Sequence, residues 1–231
     1  MIEVIPAVMP YSVIELEDAV AEVKGLVPIV QIDVMDGIFV PAKNWPYVPR
    51  GAEEFAHFQN EAEGLPFWDE VDYEVDLMVR NPESVVDAWV RAGVSRLIIH
   101  VESTQNLEAV FLDLEAKYGS DVVGVPEIGL AINTTTSIDT LAPFLDKVGF
   151  VQCMGIAEIG KQGEPFDERV LGQLSSLRAK APNLILSVDG GVNFDSAPKL
   201  IAAGATRLVS GSTIFESEDV EEAIEQLKAL A

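Results

Sequence analysis

The fold class predicted from the sequence is an α/β (β/α)8 TIM barrel, on three observations. Eight short β-branched runs alternate with amphipathic stretches from one end of the chain to the other. The 231 residues suit one barrel, a fold that commonly takes ~250 residues. The runner-up, a doubly wound open sheet, wants a Gly-rich fingerprint after its first strand, and Val4–Pro10 carries none.

Taken in order, the strand candidates are Val4–Val8, Ile29–Val34, Tyr73–Met78, Arg96–Val101, Gly129–Asn133, Phe150–Met154, Leu184–Val188 and Arg207–Ser210. The stretches Ile14–Val23, Pro82–Ala92, Leu107–Tyr118, Phe166–Ala179, Ser196–Ala203 and Val220–Leu230 have apolar residues at i, i+3 and i+4 and read as helices. Asn81-Pro82-Glu83 is a helix start with proline at the first position. Gly93 and Gly204, each after an alanine, are helix stops. Residues 41–72 are long for one crossover and hold Trp45, Tyr47, Phe67 and Trp68. They read as an enlarged loop and helix near the site, or as a subunit contact. No linker or composition break marks a second domain, so residues 1–231 are expected to form one barrel domain.

Composition narrows the function. Apolar residues make up 48% and mean hydropathy is +0.23, enough for a large core and too much for a disordered chain. No apolar run approaches the ~18 residues of a membrane span. Fifteen Lys and Arg stand against 38 Asp and Glu, a formal charge of -23. Such a surface repels nucleic acid and anionic lipid, which need basic residues to displace counterions. One cysteine, Cys153, and no recognisable leader fit a cytoplasmic protein.

In a barrel of this type the chemistry sits at the C-terminal ends of the strands. Four of those ends carry polar residues: Gln31-Ile-Asp33-Val-Met35-Asp36-Gly37, Glu74-Val-Asp76-Leu-Met78, His100-Val-Glu102 and Ser187-Val-Asp189-Gly190-Gly191. Alternation puts Gln31, Asp33 and Met35 on one face, and Asp76 and Met78 on one face. A carboxylate inside an apolar strand is costly unless hydrogen-bonded or bound to a cation. Three of them, Asp33, Asp76 and Asp189, at three strand ends, predict a shared site. Asp36, before Gly37, reads as a turn residue. Met35, Met78 and Met154 fit either a core or a site lining. His57 is expected to be exposed, and His100 is either a satisfied core histidine or part of the pocket.

A second constellation is glycine-rich. Asp189-Gly190-Gly191-Val192-Asn193 ends the seventh strand and Ser210-Gly211-Ser212-Thr213-Ile214-Phe215 ends the eighth. Loops after strands seven and eight are the usual phosphate site of such barrels, where backbone N–H groups face the anion. Gly190, Gly191, Gly211 and Ser212 are therefore candidate phosphate ligands. Gly155, Gly160 and Gly163 suggest a mobile loop over the substrate.

These motifs resemble the ribulose-phosphate 3-epimerase family over nearly the whole chain. The strongest piece is Ile32-Asp33-Val34-Met35-Asp36-Gly37-Ile38-Phe39-Val40-Pro41. Leu77-Met78-Val79-Arg80-Asn81-Pro82 and the two glycine motifs add to it. The resemblance implies a barrel of the ribulose-phosphate-binding type. It implies epimerisation of a ketose phosphate through an enediolate, with Asp33 and Asp189 as acid and base. Met35, Met78 and Met154 would cap the reacting carbons. The chain departs from the family at Gln31 and Asp76, where the family has metal-binding histidines, at Ala7, where it has serine, and in the loop Gly155–Gly163. The remaining candidate metal ligands, Asp33, Asp76, Asp189 and Gln31, offer oxygens that suit Mg²⁺ or Mn²⁺ better than Zn²⁺. A metal-free site with a shared proton is the alternative. Two other functions stay open, a related phosphosugar lyase or decarboxylase and a catalytically degenerate phosphosugar-binding barrel. The lyases carry Asp-x-Lys-x-x-Asp, and the residue two after Asp33 is Met35. The expected partners are a sugar phosphate and further copies of this chain, with no nucleic acid and no membrane.

Overall fold

The computed structural model describes residues 2–60, 63–118, 125–161 and 163–230. Among these, eight parallel strands close into a barrel in chain order. They are β1 (Glu3–Val8), β2 (Ile29–Met35), β3 (Asp72–Met78), β4 (Arg96–His100), β5 (Glu127–Ile132), β6 (Phe150–Met154), β7 (Ile185–Asp189) and β8 (Arg207–Ser210). The helices are α1 (Val13–Val23), α2 (Gly51–Gln59), α3 (Val86–Arg91), α4 (Leu107–Tyr118), α5 (Arg169–Lys180), α6 (Ala197–Ala203), α7 (Ser212–Phe215) and α8 (Val220–Ala229). No helix of the described residues is long and apolar enough to cross a membrane.

Local chemistry explains the helix ends. Ser12 caps α1 by accepting from Glu15 N at 3.2 Å, and the Glu15 carboxylate accepts from Tyr11 N in return. Asp219 caps α8 through Glu222 N. Gly204 ends α6 in the left-handed conformation, at φ 114°. The stretch Pro82–Ala92 is not one helix. A 3₁₀ turn at Pro82–Ser84 precedes α3, and Val85, at φ -124°, breaks the run between them. Between β5 and β6 lies only a 3₁₀ turn, Ile138–Leu141, which the apolar periodicity did not announce.

Alternation along the strands sorts the side chains into two cores. One set, including Val30, Ile32, Val34, Val75, Leu77, Leu97 and Ile99, faces the helices and joins the main apolar cluster. The other set fills the barrel. Its apolar middle comprises Ile5, Ala7, Ile29 and Val209 on one side and Ile98, Ala131 and Phe150 on the other. Below it, at the N-terminal end, Arg96 pairs with Glu3, Glu74 and Glu127 at 3.2–3.3 Å. Arg207 pairs with Glu3 and lies over the Phe150 ring. Burial pushes the Glu74 carboxyl up to about 7, although Arg96 opposes the shift. Above the apolar middle lie the polar residues of the candidate site.

The long segment after β2 is an enlarged loop carrying α2. Trp45, Phe55 and Phe58 from it pack edge-on or tilted against one another and against Trp89 of α3. This covers one flank of the barrel and delivers Asn44 to the end of β2.

Candidate active site

Register brings the three aspartates together. Asp33 on β2 is the direct neighbour of Asp76 on β3, and Asp189 on β7 is the neighbour of Met154 on β6. The even spacing along each strand turns all three side chains inward, and each is buried. Carboxylate oxygens of Asp33, Asp76 and Asp189 lie within 4.8 Å of one another. No other such group of three or more His, Cys, Asp or Glu occurs among the described residues.

Neutral donors stitch the cluster. The Gln31 amide donates to Asp33 Oδ1 at 2.7 Å and to Asp189 Oδ2 at 3.0 Å. The Gln152 amide donates to Asp76 Oδ2 at 3.1 Å and, at 3.4 Å, to Asp189 Oδ2, while its carbonyl accepts from Ser187. A cation completes the cluster. His100 Nε2 lies 3.0 Å from Asp76 Oδ1, and Nδ1 lies 3.8 Å from Glu102. Burial alone would lower the His100 pKa. Asp76 and Glu102 outweigh it and lift the imidazole to about 10, so it is charged at neutral pH. His100 is therefore fully buried in an ion pair beside the aspartates, packed on the Phe39 ring, and the exposed position expected for His57 is also found.

The carboxylates respond to crowding. Burial first, then the charges of Asp189 and Asp76, raises Asp33 well above the ordinary carboxylate range. Burial and the charge of Asp76 push Asp189 up to about 7. Hydrogen bonds from Gln31 and the charge of His100 oppose both shifts. The cluster thus holds a proton near neutrality.

The donor set also fits a hard cation. Three carboxylates converge, and Gln31 Oε1 is a buried acceptor without a hydrogen-bond donor. The three aspartates could hold a divalent ion.

A cavity of about 210 Å³ opens above the cluster. Asp33 and Asp189 line it, with Met78 and Met154 as apolar walls. Asp76 and Gln31 lie deeper, out of its lining, and Met35 packs beside Met78 and Val40 and faces an adjoining groove. Gly190, Gly191, Gly211 and Ser212 line the same cavity. Gly190 and Gly191 need glycine, with φ 89° and 66° and Ile156 and Phe166 where a Cβ would stand. Gly155 packs so closely on the Gly190 carbonyl that a Cβ there would clash with backbone, and its N–H donates to Asp189 O.

Asp36 is the turn residue its sequence suggests. Its carboxylate accepts from the N–H groups of Ile38, Phe39 and Arg80. Sequence reasoning missed two contributors. Gln152 shares the inward face of β6 with Met154, and a polar residue two before that methionine was the available signal. Asn44 clamps the end of β2, accepting from Met35 N and donating to Asp33 O. Nothing local distinguishes it from any loop asparagine.

Comparison with known proteins gives one consistent result. The model of the ribulose-phosphate 3 epimerase family matches residues 3–215. A ribulose-phosphate 3-epimerase of Bacillus subtilis is 29% identical over 99% of both chains. That of Aquifex aeolicus is 28% identical over 93% of this chain and 89% of its own. The chloroplastic Arabidopsis thaliana enzyme is 32% identical over 87% of this chain and 66% of its own. Among solved structures, a 3-hexulose-6-phosphate synthase superposes at TM-score 0.64, with 17% identity over 99% of both chains. KGPDC from Streptococcus mutans superposes at TM-score 0.67, with 14% identity over 100% of this chain and 97% of its own. At these identities the two structures speak for the fold alone.

Proposed function

The chain belongs to the ribulose-phosphate 3-epimerase family, and from that premise we propose that it epimerises a ketose phosphate, with Asp33 and Asp189 as the acid–base pair. The observation that carries this is that these two carboxylates line one cavity from separate strands, β2 and β7, beside Met78 and Met154. Inverting a carbon next to a ketone means removing its proton on one face and returning one on the other. One aspartate takes the proton as the C–H bond breaks, and the electron pair moves into the carbonyl to give an enediolate. The other aspartate then delivers its proton to the opposite face of the carbon. Raised carboxyl pKa values serve this exchange, because one group stays protonated while its partner is ionised. Met78 and Met154 keep water from the carbanionic carbon without competing for its proton.

Gly190, Gly191, Gly211 and Ser212 bind the substrate's phosphate through backbone N–H groups and the Ser212 hydroxyl. Asp33, Asp76 and Asp189, with the amide oxygen of Gln31 turned inward, would hold a divalent cation, Mg²⁺ or Mn²⁺ ahead of Zn²⁺. Such an ion supplies an electrophile for the charge of the enediolate. The deciding assay follows the interconversion of ribulose 5-phosphate and xylulose 5-phosphate, with and without added Mg²⁺, Mn²⁺ or Zn²⁺. Absence of interconversion under every condition would refute the proposal.

A further inference from the structure

We propose that Lys161 is the basic residue that recognises the substrate's phosphate and sets a preference for a phosphorylated over a free ketose. This rests on the sugar-phosphate function proposed above. The cavity that holds Asp33 and Asp189 has a charge problem. Its described lining includes three carboxylates, Asp33, Glu164 and Asp189, and among the described residues Lys161 is its sole cation. The whole chain carries a formal charge of -23. A phosphate dianion entering this field meets repulsion, and neutral backbone N–H groups in the glycine loops offset only part of it.

Lys161 is suited to supply the rest. It stands in the loop after β6, the segment that departs from the family pattern, and lines the cavity together with Gly190, Gly191, Gly211 and Ser212. Its ammonium is held 2.6 Å from Glu158 Oε2 and 3.9 Å from Glu164 Oε1. Both Lys161 and Glu158 are at least half exposed, so their pair adds little stability and can be exchanged for a doubly charged partner. The adjoining groove that Lys161 also borders is lined by Glu15, Asp18 and Glu22, which leaves the glycine-lined cavity as the place for the anion.

The test uses inorganic phosphate as the probe, so that it does not depend on turnover. Titration calorimetry is run on the intact chain and on Lys161→Met, Lys161→Arg and Glu158→Gln. Lys161→Met should weaken phosphate binding roughly tenfold, the effect of losing one charge-assisted contact. Lys161→Arg should restore most of it. Glu158→Gln, which frees the ammonium, should tighten it. With ribulose 5-phosphate, Lys161→Met should raise KM by a similar factor and leave kcat within about twofold, the signature of lost uniform binding. Equal phosphate affinity in the unaltered chain and in Lys161→Met would overturn the assignment alone. Failure of the unaltered chain to bind phosphate would overturn it together with the sugar-phosphate function. Phosphate binding that depends on Lys161 in a chain without epimerase activity would uphold the assignment and refute the epimerase proposal.

Discussion

Gln31 and Asp189 stand 158 positions apart in sequence and are joined across the barrel by a 3.0 Å hydrogen bond, with the Gln31 amide as donor. This bond favours the ionised form of Asp189, and the second bond from the same amide does so for Asp33. Gln31→Leu removes both. A hydrogen bond to a charged group is worth roughly 1.5–3 kcal/mol, so the carboxyl pKa values should rise by about one unit or more. The acidic limb of the kcat/KM profile should therefore move to higher pH. A limb that stays in place would show that neither aspartate is the titrating base.

Asp33→Asn and Asp189→Asn should each cut kcat by ~10²–10⁴, the usual loss of a general acid or base. Each should also raise Tm, because a buried, repelled carboxylate becomes a neutral amide. Both carboxyls have raised folded-state pKa values. Their stabilising contribution is complete below the ordinary carboxylate range and fades as pH rises through the folded values. The Tm gain should thus be larger at pH 8 than at pH 5, in buffer containing chelator. A Tm loss at pH 8 would contradict the crowding described here.

Metal preference can be read without turnover. Mn²⁺ should bind the chain with loss of its free-ion paramagnetic signal, and Mg²⁺ should compete, while Asp76→Asn should abolish both effects. Zinc that survives dialysis in stoichiometric amount would overturn the hard-cation preference. Restoring imidazoles through Gln31→His with Asp76→His should raise zinc affinity.

Glu74 offers a stability test away from the chemistry. Its carboxyl titrates at about 7 in the fold instead of near 4.5, so the folded state holds the proton more tightly than the unfolded chain. That contribution is whole below pH 4.5 and is lost as pH rises towards 7, at roughly 1.4 kcal/mol per pH unit. Relative to the unaltered chain, Glu74→Gln should gain stability as pH rises from about 4.5 to about 7 in urea unfolding and gain no more above that. A constant difference would mean that Arg96 and Arg207 keep Glu74 ionised throughout.

The barrel is legible in the local pattern, because every strand and nearly every helix carries its own period of apolar residues. The same pattern determined that Asp33, Asp76 and Asp189 lie at strand ends, since alternation and barrel geometry leave them nowhere else. The turn at Asp36-Gly37 and the stop at Gly204 were equally local. The break at Val85 was not, because periodicity continues through it. Relations across the ring are absent from any local pattern and come from packing. Strand register made Asp33 and Asp76 neighbours, and closure of the barrel brought Gln31 to Asp189 and Gln152 to both Asp76 and Asp189. It paired His100 with Asp76, which raises the pKa of a buried histidine against the effect of its burial. Burial and the distances between charges set these pKa values, and both come from packing residues far apart in the chain, which no local pattern encodes.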